Sequence, residues 1–355
     1  MDVEARFHRI AREAQEILVP DELKTLLGRE EHPRAYIGFE PSGQLTLGSL
    51  ITARKMRDLT DAGCDLTVLL ADWHAWINDK MGGSLERIQA VGTYMEEAFH
   101  ALGVDPGRTR FRWAHDVVER SAYWARVVRI AKAMSLQRAK RAMTIMGRGE
   151  DETQLDTAKL LYPAMQAADI FELPVDIAYS GMDQRRVHVL ARELAQHFGW
   201  PVPVAIHTPL LPSLKGRGRM DPADPTGEGK MSKSDPTGAV LVPMEPEPVR
   251  SAIQAALCPA KQTDGNPVVD TVRYILFPWE GRLTVERTVQ HGGHVEFTTF
   301  DEFLNAWTSG DLHPADLKPA VAEGINRIMA PVRQYFGDHP ETIHAAFGAT
   351  TTKPR

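Results

Sequence analysis

Arg34-Ala35-Tyr36-Ile37-Gly38-Phe39-Glu40-Pro41-Ser42-Gly43-Gln44-Leu45-Thr46-Leu47-Gly48-Ser49 is the stretch on which the fold turns. Its first six residues read as a short buried strand, Pro41-Ser42-Gly43 breaks it, and a helical pattern runs from about 47 to 61. Residues 65–70, rich in leucine and β-branched side chains, form a second strand pattern. Helical periodicity over about 85–102 and a third strand near 109–113 follow. Strand, glycine turn, helix and strand in that order predict an α/β protein: a doubly wound parallel sheet of Rossmann type with crossover helices. Ligands of such sheets gather at the carboxyl ends of the strands, and anions favour helix N-termini. Taken alone the segment reads first as a tight structural turn; paired with a basic loop downstream it becomes a phosphate side, with Gly38, Gly43 and Gly48 allowing close backbone approach and Ser42, Thr46 and Ser49 offering hydroxyls.

Outward from this segment, residues 123–146 predict one long basic helix, followed by a helix over about 155–170, a strand at 175–179 and a helix over about 183–197. The chain returns to the sheet at 201–211, and 215–238 is a long loop full of Gly, Pro and Asp. Loops of that length inside a compact domain usually serve function. Beyond Pro248 the pattern turns mainly helical. The expected organisation is a catalytic domain over 1–244 with an insertion at about 115–160, a smaller helical domain over 245–340, and a polar tail over 341–355.

Composition narrows the class. Apolar residues make up 43% and charged residues 25%, ordinary values for a globular protein with a sizeable core. Residues 1–18 read as an amphipathic helix and lack the apolar run of a signal peptide, and no stretch is long enough to span a bilayer, so a cytoplasmic location is expected. Cys64 and Cys258 stand alone, which suggests neither a disulfide framework nor a thiolate metal site. The net charge of −6 excludes a surface coated in base for nucleic acid. A local basic track exists nonetheless: between 126 and 149 there is no acidic residue, while Arg126, Arg129, Lys132, Arg138, Lys140, Arg141 and Arg148 are present.

Two further motifs carry chemistry. In Tyr162-Pro163-Ala164-Met165-Gln166-Ala167-Ala168-Asp169, spacings of four and three put Tyr162, Gln166 and Asp169 on one helix face. Polar groups set among apolar neighbours need partners, so the face belongs either to a satisfied structural network or to a binding cleft. Gly181-Met182-Asp183-Gln184 follows the next strand and opens a helix toward the same cleft. Downstream, Lys230-Met231-Ser232-Lys233-Ser234 combines two ammonium groups and two hydroxyls in a glycine-rich loop, a composition suited to grasping polyphosphate while charge develops on it.

This last string resembles the KMSKS loop of class I aminoacyl-tRNA synthetases. Together, Tyr36 to Gly43, the Tyr-Pro-x-Met-Gln-x-x-Asp segment, Gly-Met-Asp-Gln and the lysine motif occur in the order found in tyrosyl-tRNA synthetases of the archaeal and eukaryotic type, over about residues 10–338. The resemblance implies activation of L-tyrosine by ATP, with Mg²⁺ accompanying the nucleotide and no resident metal or tightly bound cofactor, then transfer to tRNA(Tyr). It implies that Tyr36 and Asp169 bind the phenol, that Tyr162, Gln166 and Gln184 hold the α-amino group, and that His74 lies near the pocket. Lys230 and Lys233 would act on the phosphates with Thr46 and Ser49, which replace both histidines of the family's HIGH motif while Gly48 remains. Met231, Ser232 and Ser234 would contact ATP. The basic insertion implies a homodimer that touches the acceptor stem through Arg141, and Asp316 and His291 fall where the family reads and stacks the first anticodon base. Val117-Val118 replaces an aromatic–glutamine pair, implying a wider pocket or one open to a tyrosine analogue. Three rivals share parts of this pattern: a tryptophanyl-type synthetase, a paralogue serving a biosynthetic pathway, and an RNA-binding relic without catalysis.

Overall fold

The central sheet of the chain, seen here in a computed structural model that describes residues 1–146, 156–216, 231 and 237–348, grows from the segment quoted above. In chain order the strands are β1 (Glu16–Ile17), β2 (Arg34–Phe39), β3 (Leu45–Thr46), β4 (Asp65–Leu70), β5 (Thr109–Trp113), β6 (Ile177–Gly181), β7 (Val204–Thr208) and β8 (Leu241–Val242), with β9 (Leu283–Val285) and β10 (Val295–Phe297) pairing apart in the C-terminal region. Six of them form one sheet in the order β1-β7-β6-β2-β4-β5. All neighbours are parallel except β1, which pairs antiparallel with β7 at the edge. The doubly wound α/β expectation is met. Leu66, Val68, Ile177 and Ile206 are buried on one face and Leu69 and Ala178 on the other, the apolar signature of strands covered on both faces.

The helix Ser49–Asp61 buries Leu50, Ala53, Met56 and Leu59 at helical spacing against one side. That core continues without interruption into the C-terminal helices through Val249, Ile253, Val321, Met329 and Phe336. A second core, around Tyr123, Ile130, Met165, Ile170 and Leu190, joins the insertion to the helices Thr157–Glu172 and Arg185–Phe198.

Three sequence expectations need correction. The N-terminal helix spans only Val3–Ala11. The buried ammonium of Lys55 takes the carbonyls of Ile10, at 2.8 Å, and Arg12, which ends the helix and frees the chain to add β1. The basic segment is not one helix but two, Ser121–Lys132 and Leu136–Ala142, followed by a 3₁₀ turn over Met143–Met146. Ser135 caps the second helix by accepting the Arg138 N–H at 3.2 Å, and the first must stop for it. The C-terminal tail starts later than expected: Pro340–Phe347 is a helix, and the Phe347 ring lies edge-on to Tyr94 at 5.0 Å. Residues 349–355 lie outside the described residues.

Candidate active site

Sheet topology decides where the cleft opens. β2 pairs with β4 along its whole length, Arg34↔Asp65 to Phe39↔Leu70, but with β6 only at Ala35↔Ile177 and Tyr36↔Ala178. Beyond Tyr36 the two strands part, and here the strand order reverses: β4 and β5 lie to one side, β6 and β7 to the other. Such a switch point is where doubly wound sheets bind ligands. A cavity of ≈ 680 Å³ occupies it, lined at one end by Tyr36, His74, Tyr162, Gln166, Asp169 and Gln184 and at the other by Gly43, Thr46, Gly48, Ser49 and Met231. Gly38 and Ser42 also line it.

At the first end, buried side chains hold one another. Asp169, 1% exposed, accepts the Tyr123 hydroxyl on Oδ1 at 2.9 Å. His74 Nε2 stands 3.1 Å from Oδ2 but off its N–H axis, so the attraction is between charges more than a directed hydrogen bond. Burial opposes an imidazolium there, yet the Asp169 carboxylate prevails and raises the His74 pKa above its ordinary value. The Tyr36 hydroxyl lies over Gly38, where a Cβ would come within 2.7 Å of it, so a side chain at this strand position would displace that hydroxyl.

Tyr162 donates to Glu40 Oε1 at 2.6 Å, and Asn78 Nδ2 donates to the same carboxylate at 3.0 and 3.2 Å. Burial, reinforced by the facing carboxylates, pushes the pKa values of Tyr36, Tyr123 and Tyr162 upward, so each phenol is a neutral donor. Gln166 Nε2 donates to Gln184 Oε1 at 3.0 Å, which leaves Gln166 Oε1 buried without a partner. A desolvated carboxylate with acceptor capacity to spare and an orphaned amide oxygen suit a ligand with a hydroxyl at one end and an ammonium at the other.

The second end is made of backbone and short hydroxyls. β3 and β8 form a two-stranded ribbon, with Leu45 opposite Val242 and Thr46 opposite Leu241. Leu47 N–H extends it by donating to Val240 O at 2.8 Å. Gly43 has φ 130°, a conformation that side chains disfavour. Ser49 Oγ accepts the Thr46 N–H at 3.3 Å and closes the turn into the helix Ser49–Asp61, of which Ser49 and Thr52 line the cleft. Met231 is pinned by its N–H to Leu211 O at 2.8 Å. Lys230, Ser232, Lys233 and Ser234 lie outside the described residues.

The remaining sequence-derived residues stand elsewhere. Arg141 is exposed on the helix Leu136–Ala142, with its carbonyl accepting from Arg186 Nη1 at 3.2 Å. Asp316 sits half-buried in the first turn of the helix Pro314–Asp338, and His291 ends the short turn Val289–His291. Neither Arg141 nor Asp316 lines the cavity. Val117 and Val118 do not line it either. They are buried in the core around Tyr123, and Trp124 Nε1 donates to the Val118 carbonyl at 2.8 Å. Sequence reasoning missed Tyr123, Glu40 and Asn78 as polar partners in the cleft. Glu40 lay inside the deciding segment, whereas nothing local singled out the other two.

Residues 28–330 match the sequence profile of the family described as tRNA synthetases class I (W and Y). A curated relative from Aeropyrum pernix, named tyrosine–tRNA ligase, is 47% identical over 339 residues, which cover 94% of this chain and 93% of the relative. The crystal structure of tyrosyl-tRNA synthetase from Aeropyrum pernix superposes with a TM-score of 0.87 at 42% identity over 98% of both chains. That from Pyrococcus horikoshii, complexed with L-tyrosine, superposes at 0.90 with 39% identity over 98% of this chain and 99% of the other.

Proposed function

The chain belongs to the class I tRNA synthetases for tryptophan and tyrosine, and we propose that its cleft holds tyrosine against Asp169 and ATP along the β3–β8 ribbon. It is an aminoacyl-tRNA synthetase that activates L-tyrosine with ATP and esterifies it to tRNA. In our reading Asp169 and Tyr36 take the phenol, with Tyr123 and His74 fixing the carboxylate. Gln166, Gln184 and Tyr162 take the α-ammonium, with Glu40 adding negative charge beside it. The substrate carboxylate then attacks the α-phosphate in line and pyrophosphate leaves, while the protein supplies positioning and charge stabilisation without a covalent intermediate. Thr46, Ser49 and the N-terminal turn of the helix Ser49–Asp61 meet the phosphates, joined by Lys230 and Lys233. Mg²⁺ enters with the nucleotide.

The observation that carries the choice of tyrosine is the buried Asp169 carboxylate at the cavity floor. Phenylalanine would leave that acceptor unpaired, and the tyrosyl enzyme is itself the reference case for discrimination of this kind. The tRNA reading rests on Arg141 and its exposed basic neighbours Arg129, Lys132 and Lys140 at the acceptor end, and on His291 and Asp316 at the anticodon end. The homodimer is supported by apolar side chains left exposed on and beside the insertion: Trp76 at 47%, Val128 at 55%, Leu136 at 61% and Leu161 at 36%. The division into a catalytic part to 244 and a helical part from 245, and a cytoplasmic setting, complete the proposal. Pyrophosphate exchange into ATP, run with each amino acid in turn, tests it. Exchange with tyrosine and charging of a tRNA(Tyr) transcript are expected. Exchange driven by tryptophan, or by no amino acid, would overturn the assignment.

A further inference from the structure

The β3–β8 ribbon is too short to hold its own register, since even longer two-stranded pairs are marginal in isolation. Something outside it must fix the spacing of its strands. The hydroxyl of Tyr94, from the helix Leu85–Ala101, lies between them. It accepts the Leu45 N–H at 3.2 Å and donates to the Val242 carbonyl, so it joins the two residues that face each other in the ribbon. Tyr94 is fully buried. A buried phenol needs partners for its hydroxyl, and here both come from ribbon backbone. Behind the hydroxyl the ring is clamped by the C-terminal helices: Phe336 stacks on it at 5.4 Å and Phe347 meets it edge-on at 5.0 Å.

We propose that Tyr94 is a positioning residue for adenylate formation, holding β3 and β8 together so that the turn carrying Thr46 and Ser49 presents its hydroxyls to ATP. This rests on the reading of the ribbon as the nucleotide end of the cleft. Tyr94 lies outside the cavity wall and acts only through the backbone of Leu45 and Val242. The last helix, Pro340–Phe347, contributes by bracing the ring, so it belongs mechanically to the catalytic part of the chain.

Tyr94→Phe keeps the ring and its contacts with Phe336 and Phe347 and removes only the bridge. In tyrosine-dependent pyrophosphate exchange the variant should show a KM for ATP raised about tenfold, the loss of roughly one hydrogen bond's worth of positioning. Tyrosine affinity by equilibrium dialysis should stay within about twofold of the parent, because uniform loosening would move both ligands together. The Leu45 amide should exchange with deuterium about tenfold faster once its acceptor is gone. An unchanged KM for ATP, an equal loss of tyrosine affinity, or unaltered protection of Leu45 overturns the role. A parent without tyrosine-dependent exchange would instead overturn the assigned reaction and this role with it. An active parent beside an unaffected variant overturns the role alone.

Discussion

At one end of the cleft buried Asp169, Tyr123, His74, Tyr162 and Asn78 and partly buried Glu40 are held by one another's side chains. At the other, a glycine turn at Gly43 and the short hydroxyls of Thr46 and Ser49 flank a ribbon whose strands are two residues long. On the proposed assignment of tyrosine to the first end and ATP to the second, the contrast follows from what each has to recognise. A phenol differs from a phenyl ring by one oxygen, and telling them apart needs a desolvated acceptor that cannot move to solvate itself. A triphosphate spreads its charge over many oxygens, so it is met by many weak, similar donors and by lysines whose ammonium groups adapt. Rigidity therefore belongs at the tyrosine end and adaptable charge at the phosphate end.

The most severe way to break the contrast is Asp169→Ala. Truncating one partner of a buried, hydrogen-bonded charged contact in binding costs about 2–5 kcal/mol, so kcat/KM for tyrosine-dependent exchange should fall by roughly 10³-fold. Near-normal tyrosine affinity in this variant would sink the pocket assignment. Lys233→Ala attacks the other end and should lower the rate of adenylate formation about 10²-fold, as loss of one transition-state donor does elsewhere. Its tyrosine dissociation constant should not change, and a parallel loss of tyrosine binding would merge the two ends that the comparison keeps apart.

Tyr123→Phe is a finer probe of rigidity. The phenol that occupies Asp169 Oδ1 disappears while the ring remains in its core. The carboxylate keeps His74 but loses its directed anchor, and tyrosine KM should rise about tenfold with discrimination against phenylalanine relaxed by a similar factor. If KM rises while discrimination stays intact, Tyr123 shapes the pocket without aiming its carboxylate.

Legibility differed between the two ends for physical reasons. Tyr162, Gln166 and Asp169 could be grouped from sequence because helical geometry puts spacings of three and four on one face. Their partners could not: Tyr123 meets Asp169 across 46 positions and Glu40 meets Tyr162 across 122, and no local pattern encodes such pairings. The strand, turn and helix of residues 34–61 were legible because a buried strand and a glycine break leave strong local signals. β8 was not, since two residues carry no periodicity and its pairing with β3 is fixed from outside by Tyr94. The break at Ser135 had its signal, a serine ahead of Leu136, but helical spacing running on either side of it hid the stop. Pro340 likewise marked a helix start inside what composition alone called tail.

The smallest expected effect concerns whether the tyrosine end carries a charge pair of its own. An unperturbed histidine titrates near 6.5. Burial works against protonation of His74, but the carboxylate of Asp169, 3.1 Å away, outweighs it and lifts the folded pKa above that value. Between the unfolded and folded values the native state binds more protons than the unfolded one, so stability must fall as pH rises through this window. The contribution is complete below about pH 6.5 and fades above it, by at most about 1.4 kcal/mol per pH unit. Urea unfolding of the parent and of His74→Gln at pH 6 and pH 8.5 isolates it as a difference of differences. The parent's advantage should be larger at pH 6. An advantage that is constant, or larger at pH 8.5, would mean that His74 is neutral beside Asp169, leaving the Tyr123 phenol alone to fix the carboxylate that the substrate must find.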